Sequence, residues 1–261
     1  MELFTGRGGY DEALRKGVRG WDGMTERPLR GRELRERVLG ALRCDNRAQA
    51  LAELAKLPAR PAVNPLFSFF CSTESAVRWR AVTAMGVVMT TLASQDMEAA
   101  RVIMRRMIWQ LNEESGGIGW GIPEAMGETM TRHAGLAEEY AHMLVSYIQE
   151  DGNFLEHVPL QQGVLWGLAR LAGARPSLVK KAAPDIEIFL SAEDAQLRGL
   201  AAWFLGLVGA QEARPRLEEL TADGAAVLLY SDWREERFTV SELAGRALAA
   251  LDGKPTRYEP S

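Results

Sequence analysis

Hydrophobic residues recur at helical spacing along most of the chain. The segments MEAARVIMRRMIWQLNEE (97–114) and GLAEEYAHMLVSYIQED (135–151) show the pattern, with an apolar residue every three or four positions. Short breaks that contain Pro, Gly, Asp or Ser separate such segments of 10 to 17 residues. The pattern predicts a succession of amphipathic helices joined by short connections.

One stretch favours strands instead of helix. Residues 226–240 read AVLLYSDWREERFTV, in which two β-prone runs flank a polar turn. This order predicts a small β-hairpin. Thr239 and Glu242 follow at the spacing of a capping box, so the next helix is expected to begin there.

A pattern of small and large apolar positions repeats five times. Each copy carries small residues at fixed positions around a large apolar residue, and the copies begin at residues 77, 118, 160, 197 and 240. The starts are thus 41, 42, 37 and 43 residues apart, and residues 46–57 resemble a degenerate first copy. Small residues let helix backbones approach closely, and a helix pair alone cannot bury its apolar face. The repeat therefore predicts an all-α stack of helix pairs.

The clearest copies resemble HEAT repeats, especially the bilin-lyase-type HEAT-like class. Two sets match that class's second helix: Val77, Arg78, Ala81, Ala84, Met85 and Gly86, and Leu197, Arg198, Ala201, Ala202, Leu205 and Gly206. The other copies place Gly119, Gln161 and Ser241 where the class has arginine. The resemblance covers residues 45–251 and implies a right-handed α-α superhelix, a HEAT-like solenoid of about five to six helix pairs. It does not imply lyase activity.

These patterns suggest three parts of the chain. Residues 1–30 are glycine-rich and charged, and we expect a loose lead-in with a short helix near Asp11 to Val18. Residues 31–252 are expected to form a single α-solenoid domain, followed by a flexible tail at 253–261.

Composition narrows the functional classes. The net charge is -4 and the pI about 5.6, which disfavours nucleic-acid binding. No apolar run is long enough to span a membrane, and the N-terminal residues lack a secretory signal's apolar core. Two cysteines, Cys44 and Cys71, form no CxxC pair, so we expect a cytoplasmic protein with packed thiols.

The resemblance also implies which residues line the concave surface, because the second helix of each pair faces inward in this class. The unconstrained positions of the repeat would then form a groove: Trp79, Arg80, Trp120, Glu124, Glu128, Gln162, Trp166, Arg170, Trp203 and Arg246. Tryptophans at such positions either pack against the neighbouring repeat or form an exposed binding surface. The sequence leaves both alternatives open.

Other chemistry is weakly indicated. Glu124 and Glu128 lie one helical turn apart, where they could form ion pairs with Arg80 or Arg170, recognise a partner, or perform acid-base work. The glycines of GGIGWG (116–121) could bind phosphate, but Pro123 lacks an N–H and Glu124 repels anions. A single ExxH spacing, Glu139 to His142, is too little for a metal site. We predict no catalytic residues, no metal and no cofactor.

The leading hypothesis is a non-catalytic scaffold that binds a protein segment in a tryptophan-rich concave groove. The alternative is a bilin-lyase-like or cofactor-handling protein that binds a flat small molecule in the same groove. Binding to nucleic acid or to a membrane is not expected.

Overall fold

The computed structural model describes residues 31–113 and 118–254. The lead-in with its expected helix near Asp11 to Val18, and the tail beyond residue 254, lie outside these residues. The helices are, in chain order, α1 (Gly31–Arg43), α2 (Arg47–Ala55), α3 (Ala59–Phe69), α4 (Ser75–Gln95), α5 (Met97–Asn112), α6 (Ile122–Arg132), α7 (Ala134–Ser146), α8 (Val158–Ala174), α9 (Pro176–Val179), α10 (Ala183–Glu187), α11 (Ala195–Val208), α12 (Arg214–Glu219) and α13 (Val240–Leu251). Strands β1 (Ala226–Ser231) and β2 (Arg234–Thr239) lie between α12 and α13.

The helices stack as pairs in two rows. The five repeat copies lie on α4, α6, α8, α11 and α13, which pack against one another in that order. The helical segments that precede them form the other row, and 3-10 turns break this row around α9, α10 and α12. One continuous cluster of buried apolar side chains runs through the stack. The expected all-α superhelix with a small hairpin is confirmed, and no described helix has the length and apolarity to cross a membrane.

Small residues set the spacing between successive repeat helices. A Cβ atom added to Gly127 on α6 would lie 2.3 Å from Cα of Gly167 on α8. Likewise, a Cβ added to Gly206 on α11 would lie 2.7 Å from Cα of Ala247 on α13. Gly127 and Gly206 are each the tenth residue of their repeat copy. The residues they contact, Gly167 and Ala247, are each the eighth residue of the next copy. The phase of the small residues in the sequence therefore reflects direct backbone contact between neighbouring repeats.

Helix α6 begins late within its repeat copy. Gly121 precedes it with φ of 70°, and Pro123 occupies its first turn. A Cβ at Gly121 would lie 3.0 Å from Phe70, so the glycine satisfies both a left-handed backbone and a close contact. Gly121 thus shapes the start of the helix, and the rigid ring of Pro123 suits the first turn.

The hairpin has a tight two-residue turn. Its register pairs Ala226 with Thr239 and Ser231 with Arg234, which leaves Asp232 and Trp233 as the turn. Both turn residues have positive φ, 45° and 72°, as a type I′ turn requires. The capping box at the start of α13 is also confirmed, because the Thr239 hydroxyl accepts from the Glu242 amide and the Glu242 carboxylate accepts from the Thr239 amide.

Trp233 is held in this unfavourable conformation by contacts with the other end of the stack. Its indole is buried, and Nε1 donates to the carbonyl oxygen of Cys44 at 2.8 Å. The Arg80 side chain donates to the backbone carbonyl of Trp233 at 3.3 Å. Burial and hydrogen bonding of a tryptophan offset a backbone strain of about 1–3 kcal/mol.

We predict that Trp233→Ala lowers the free energy of unfolding by about 3 kcal/mol, because it removes a buried indole and its hydrogen bond. Urea denaturation followed by circular dichroism measures the change. Trp109→Ala is the matched control, since Trp109 is 62% exposed and should cost less than about 1 kcal/mol. Equal losses for the two variants would contradict the role given to Trp233.

Candidate functional site

The hairpin lies across the inner faces of the repeat helices. The Tyr230 ring stacks on the Trp79 ring of α4, with centroids 5.1 Å apart and planes 9° apart. The Tyr230 hydroxyl lies 3.1 Å from the hydroxyl of Thr83, and Trp166 of α8 donates from Nε1 to the Tyr230 carbonyl at 3.1 Å. These contacts fix β1 over the middle of the concave surface.

Polar contacts fasten the rest of the hairpin. The side-chain amide of Gln196 on α11 both accepts from the Leu228 amide at 2.9 Å and donates to the Leu228 carbonyl at 2.6 Å. The Ser75 hydroxyl donates to Glu235 at 2.6 Å, and Arg47 lies 3.1 Å from Asp232. The concave surface is thus divided by the hairpin, and it does not form one open groove.

Beneath the hairpin lies a buried ion cluster. The Glu128 side chain is only 1% exposed, and its carboxylate accepts from Arg132 at 2.7 Å and from Arg170 at 3.0 Å. Arg80 is satisfied elsewhere, because it donates to Asp45 at 2.9 Å and to the Leu42 carbonyl at 3.1 Å. Glu128 and Arg170 thus form an ion pair, one of the alternatives that the sequence leaves open, and it joins α6 to α8.

A pocket of about 500 Å³ opens on the other side of the hairpin. Helices α4, α6, α8 and α11 contribute to its wall, together with the strands. Its main functional side chains are Arg78, Trp79, Trp120, Glu124, Gln162 and Trp166. The volume falls within the range of roughly 300–1,000 Å³ that is usual for ligand pockets.

The three tryptophans of the pocket differ in exposure. Trp120 is 39% exposed at the mouth, with its ring edge-on to His157 at 5.5 Å. Trp79 is half-buried, wedged between Tyr230 and the Trp166 ring, which is 5.1 Å away and tilted by 50°. Trp166 itself is 2% exposed. Only Trp120 and part of Trp79 present indole surface to an incoming group.

Glu124 is the most unusual group in the pocket. It is the third residue of α6, and its carboxyl group packs against Gly163 of α8 so closely that a Cβ there would lie 2.7 Å from Oε2. Oε2 is sealed from bulk solvent and has no hydrogen-bond partner among residues 31–113 and 118–254. Burial raises the pKa of Glu124 to about 7, while its own backbone N–H and Arg78 act in the opposite direction.

Arg78 provides the opposite charge in the same wall. Its side chain is half-buried and has one weak contact, a donation to the Ser75 hydroxyl at 3.5 Å. Within the described parts of the chain, Arg78 forms no ion pair with Glu124 or with any other carboxylate. The pocket lining therefore includes the guanidinium of Arg78 and the carboxyl group of Glu124 without an ion pair between them, and Glu235 is a second carboxylate there.

The ten residues expected in the groove fall into three groups. Trp79, Trp120, Glu124, Gln162 and Trp166 line the pocket. Arg80, Glu128 and Arg170 lie in the contacts beneath the hairpin. The remaining two lie towards the end of the stack, where Trp203 is 5% exposed and Arg246 lies over the Phe238 ring at 4.5 Å.

Sequence reasoning missed three contributors to this region. Arg78 fits the repeat pattern and was therefore assigned to the fold, and Tyr230 and Glu235 belong to the hairpin, outside the repeat frame. No pattern in the sequence shows where the hairpin docks. The thiols also differ from expectation, since Cys44 is half-buried and Cys71 is exposed in the pocket wall.

The repeat architecture has parallels among solved structures. No protein-family model matches this chain, and no curated protein matches it in sequence. A designed armadillo repeat protein in complex with the peptide (KR)4 is similar over 84% of this chain and 99% of its own, at 15% identity and a TM-score of 0.49. An engineered protein is similar over 85% of this chain and 100% of its own, at 16% identity and a TM-score of 0.49. Identity this low indicates nothing about what this chain binds.

We predict that the stability of the protein falls as pH rises from about 4.5 to about 7. Glu124 binds its proton more tightly when folded than when unfolded, so the folded state is penalised once the carboxyl ionises. Glu124→Gln should remove this penalty and raise the free energy of unfolding at pH 8 by about 1–3 kcal/mol, with little gain at pH 4.5. Urea denaturation at the two pH values checks the prediction. A variant that is less stable than the wild type at pH 8 would contradict it.

Proposed function

We propose that this chain is a non-catalytic recognition protein whose partner inserts a short protein segment into the tryptophan pocket. The observation that carries the proposal is the combination in one cavity of a partly exposed indole, Trp120, with Glu124, whose Oε2 has no hydrogen-bond partner among the described residues. Tryptophan is enriched among the residues that anchor protein interfaces, and a buried unpaired acceptor gains from a donor brought by a partner.

The hairpin limits how much of a partner the site can take. Tyr230 and Trp233 already occupy the inner surface between α4 and α8, with ring stacking and hydrogen bonds. A long segment laid along the whole stack would have to displace those contacts. The pocket of about 500 Å³ instead suits one or two residues of a partner, with further contacts around its rim.

The second candidate is the binding of a flat small molecule, as in a bilin-lyase-like or cofactor-handling protein. The observation that favours it is the rigid Trp79 ring, which Tyr230 and Trp166 hold in place as a stacking surface. Visible absorption and native mass spectrometry of the purified protein test this alternative, because a co-purified chromophore or ligand adds a band and a mass.

We predict that Trp120→Ala reduces partner capture at least about tenfold while the melting temperature changes little, because the ring is exposed at the pocket mouth. The measurement is a quantitative pull-down from lysate with the purified protein as bait. Trp109→Ala is the matched control, since Trp109 is also exposed but lies on α5, away from the pocket.

Three results are informative. Loss of the same partners with Trp120→Ala alone supports recognition through the pocket. Equal loss with both variants indicates non-specific adhesion by exposed indoles and counts against the proposal. Unchanged capture with a folded Trp120→Ala protein overturns it.

A further inference from the structure

Three charged side chains line the pocket, Arg78, Glu124 and Glu235, and within residues 31–113 and 118–254 Arg78 and Glu124 form no ion pair with each other. Among the described residues, Oε2 of Glu124 has no hydrogen-bond partner, and Arg78 donates to the Ser75 hydroxyl at 3.5 Å. Both side chains line the same cavity. By comparison, the buried carboxylate of Glu128 is joined to Arg170 and the half-buried one of Asp223 to Arg198. Glu124 and Arg78, by contrast, are two charged groups that a ligand could bind.

The carboxyl group of Glu124 is built into the wall. Gly163 provides the space for it, because any side chain at that position would overlap the carboxyl atoms. The helical position of Glu124 and the surrounding apolar side chains fix its direction. An ionised carboxylate in such a place is compensated best by a cation that also donates hydrogen bonds. A neutral donor would satisfy the oxygen but would leave the charge.

Arg78 determines which second group the ligand must carry. A guanidinium has donors only, so the group that it binds must carry an oxygen acceptor such as a carbonyl or a carboxylate. The ligand therefore needs a cationic donor and an oxygen acceptor within one short span. Trp79 and Trp120 add apolar surface beside both groups, which suits a side chain attached between them.

We propose that the pocket binds an α-ammonium group together with the adjacent carbonyl and side chain, as presented by the N-terminal residue of a polypeptide. The ammonium donates to the carboxylate of Glu124, which lines the pocket, the carbonyl oxygen accepts from Arg78, and the side chain packs against Trp79 and Trp120. A free amino acid presents the same chemistry. The inference rests on the proposed function and specifies the part of the partner that enters the site.

A lysine side chain within a blocked peptide fits less well. Its ammonium could reach Glu124, but no oxygen acceptor stands next to that ammonium to meet Arg78. The N-terminal residue satisfies both charged groups at once, and the rest of the chain leaves through the open mouth beside Trp120, whose exposure leaves room for it.

The test uses matched peptide probes on the complete protein. The first probe is Phe-Ala-Ala amide with a free amine, and its control is the same peptide with an acetylated amine. Free phenylalanine, N-acetylphenylalanine and acetyl-Ala-Lys-Ala amide complete the set. Binding is followed by NMR through the indole N–H signals, with the Trp120 signal assigned from the Trp120→Ala variant.

The free-amine peptide should shift the Trp120 signal and bind at least about tenfold more tightly than its acetylated control. Glu124→Gln should weaken binding of the free-amine peptide about tenfold, with a smaller effect on the acetylated peptide. Glu138→Gln, which changes an exposed glutamate on α7, should leave both affinities unchanged. Melting curves show whether each variant is folded.

Each alternative outcome has a distinct meaning. Free phenylalanine binding as tightly as the free-amine peptide supports the same chemistry with an amino acid as its source. Equal binding of the free and acetylated peptides, lost in Trp120→Ala, overturns the ammonium inference but leaves recognition through the pocket standing. Preferred binding of the lysine probe also overturns it and points to an internal basic side chain. Absence of any shift up to about 10 mM of every probe overturns it as well.

Discussion

The stacking of Tyr230 on Trp79 is the contact on which the rest of the functional surface depends. It joins the hairpin to α4, and the hydrogen bond from Trp166 to the Tyr230 carbonyl extends the connection to α8. Without this contact the repeat helices would present a broad concave face. With it, the face is divided into a buried ion cluster around Glu128 and an open pocket around Glu124. Burial raises the pKa of the Tyr230 hydroxyl, so the ring stays neutral at this crossing.

Glu124 and Glu128 lie one helical turn apart on α6, and the residues around each determine whether its charge is compensated. Glu128 has two arginines within hydrogen-bonding distance, so its charge is compensated and it serves the fold. Glu124, on the same helix, lies against Gly163 and forms no ion pair with an arginine in the described part of the chain. The first acid stabilises the packing of α6 against α8. The second has one oxygen that is buried without a hydrogen-bond partner in the described part of the chain.

The sequence predicted the architecture well because backbone contact requires small residues at fixed intervals. Gly127 against Gly167 and Gly206 against Ala247 are the physical origin of the repeat that the sequence displays. The hairpin was also predictable, from two β-prone runs on either side of a polar stretch. Its docking was not, because the contacts of Tyr230 and Trp233 join residues more than a hundred positions apart, with no local signature. The repeat frame consequently could not tell that Trp166 and Trp203 are buried while Trp120 is exposed, nor that Arg78 lines the pocket.

The hydrogen bond between Trp233 and Cys44 has a consequence for how such a chain can change over evolutionary time. Solenoids ordinarily grow or shrink by duplication or deletion of whole units, since each unit touches only its neighbours. Here the hairpin that precedes the last repeat helix contacts Cys44, between α1 and α2, and Arg80 on α4, across the units that lie between them in the chain. Inserting or removing one unit would move the Cys44 carbonyl by the width of a helix pair, and Trp233 of the hairpin could then no longer donate to it. A change in the number of units would therefore require a matching change in the hairpin.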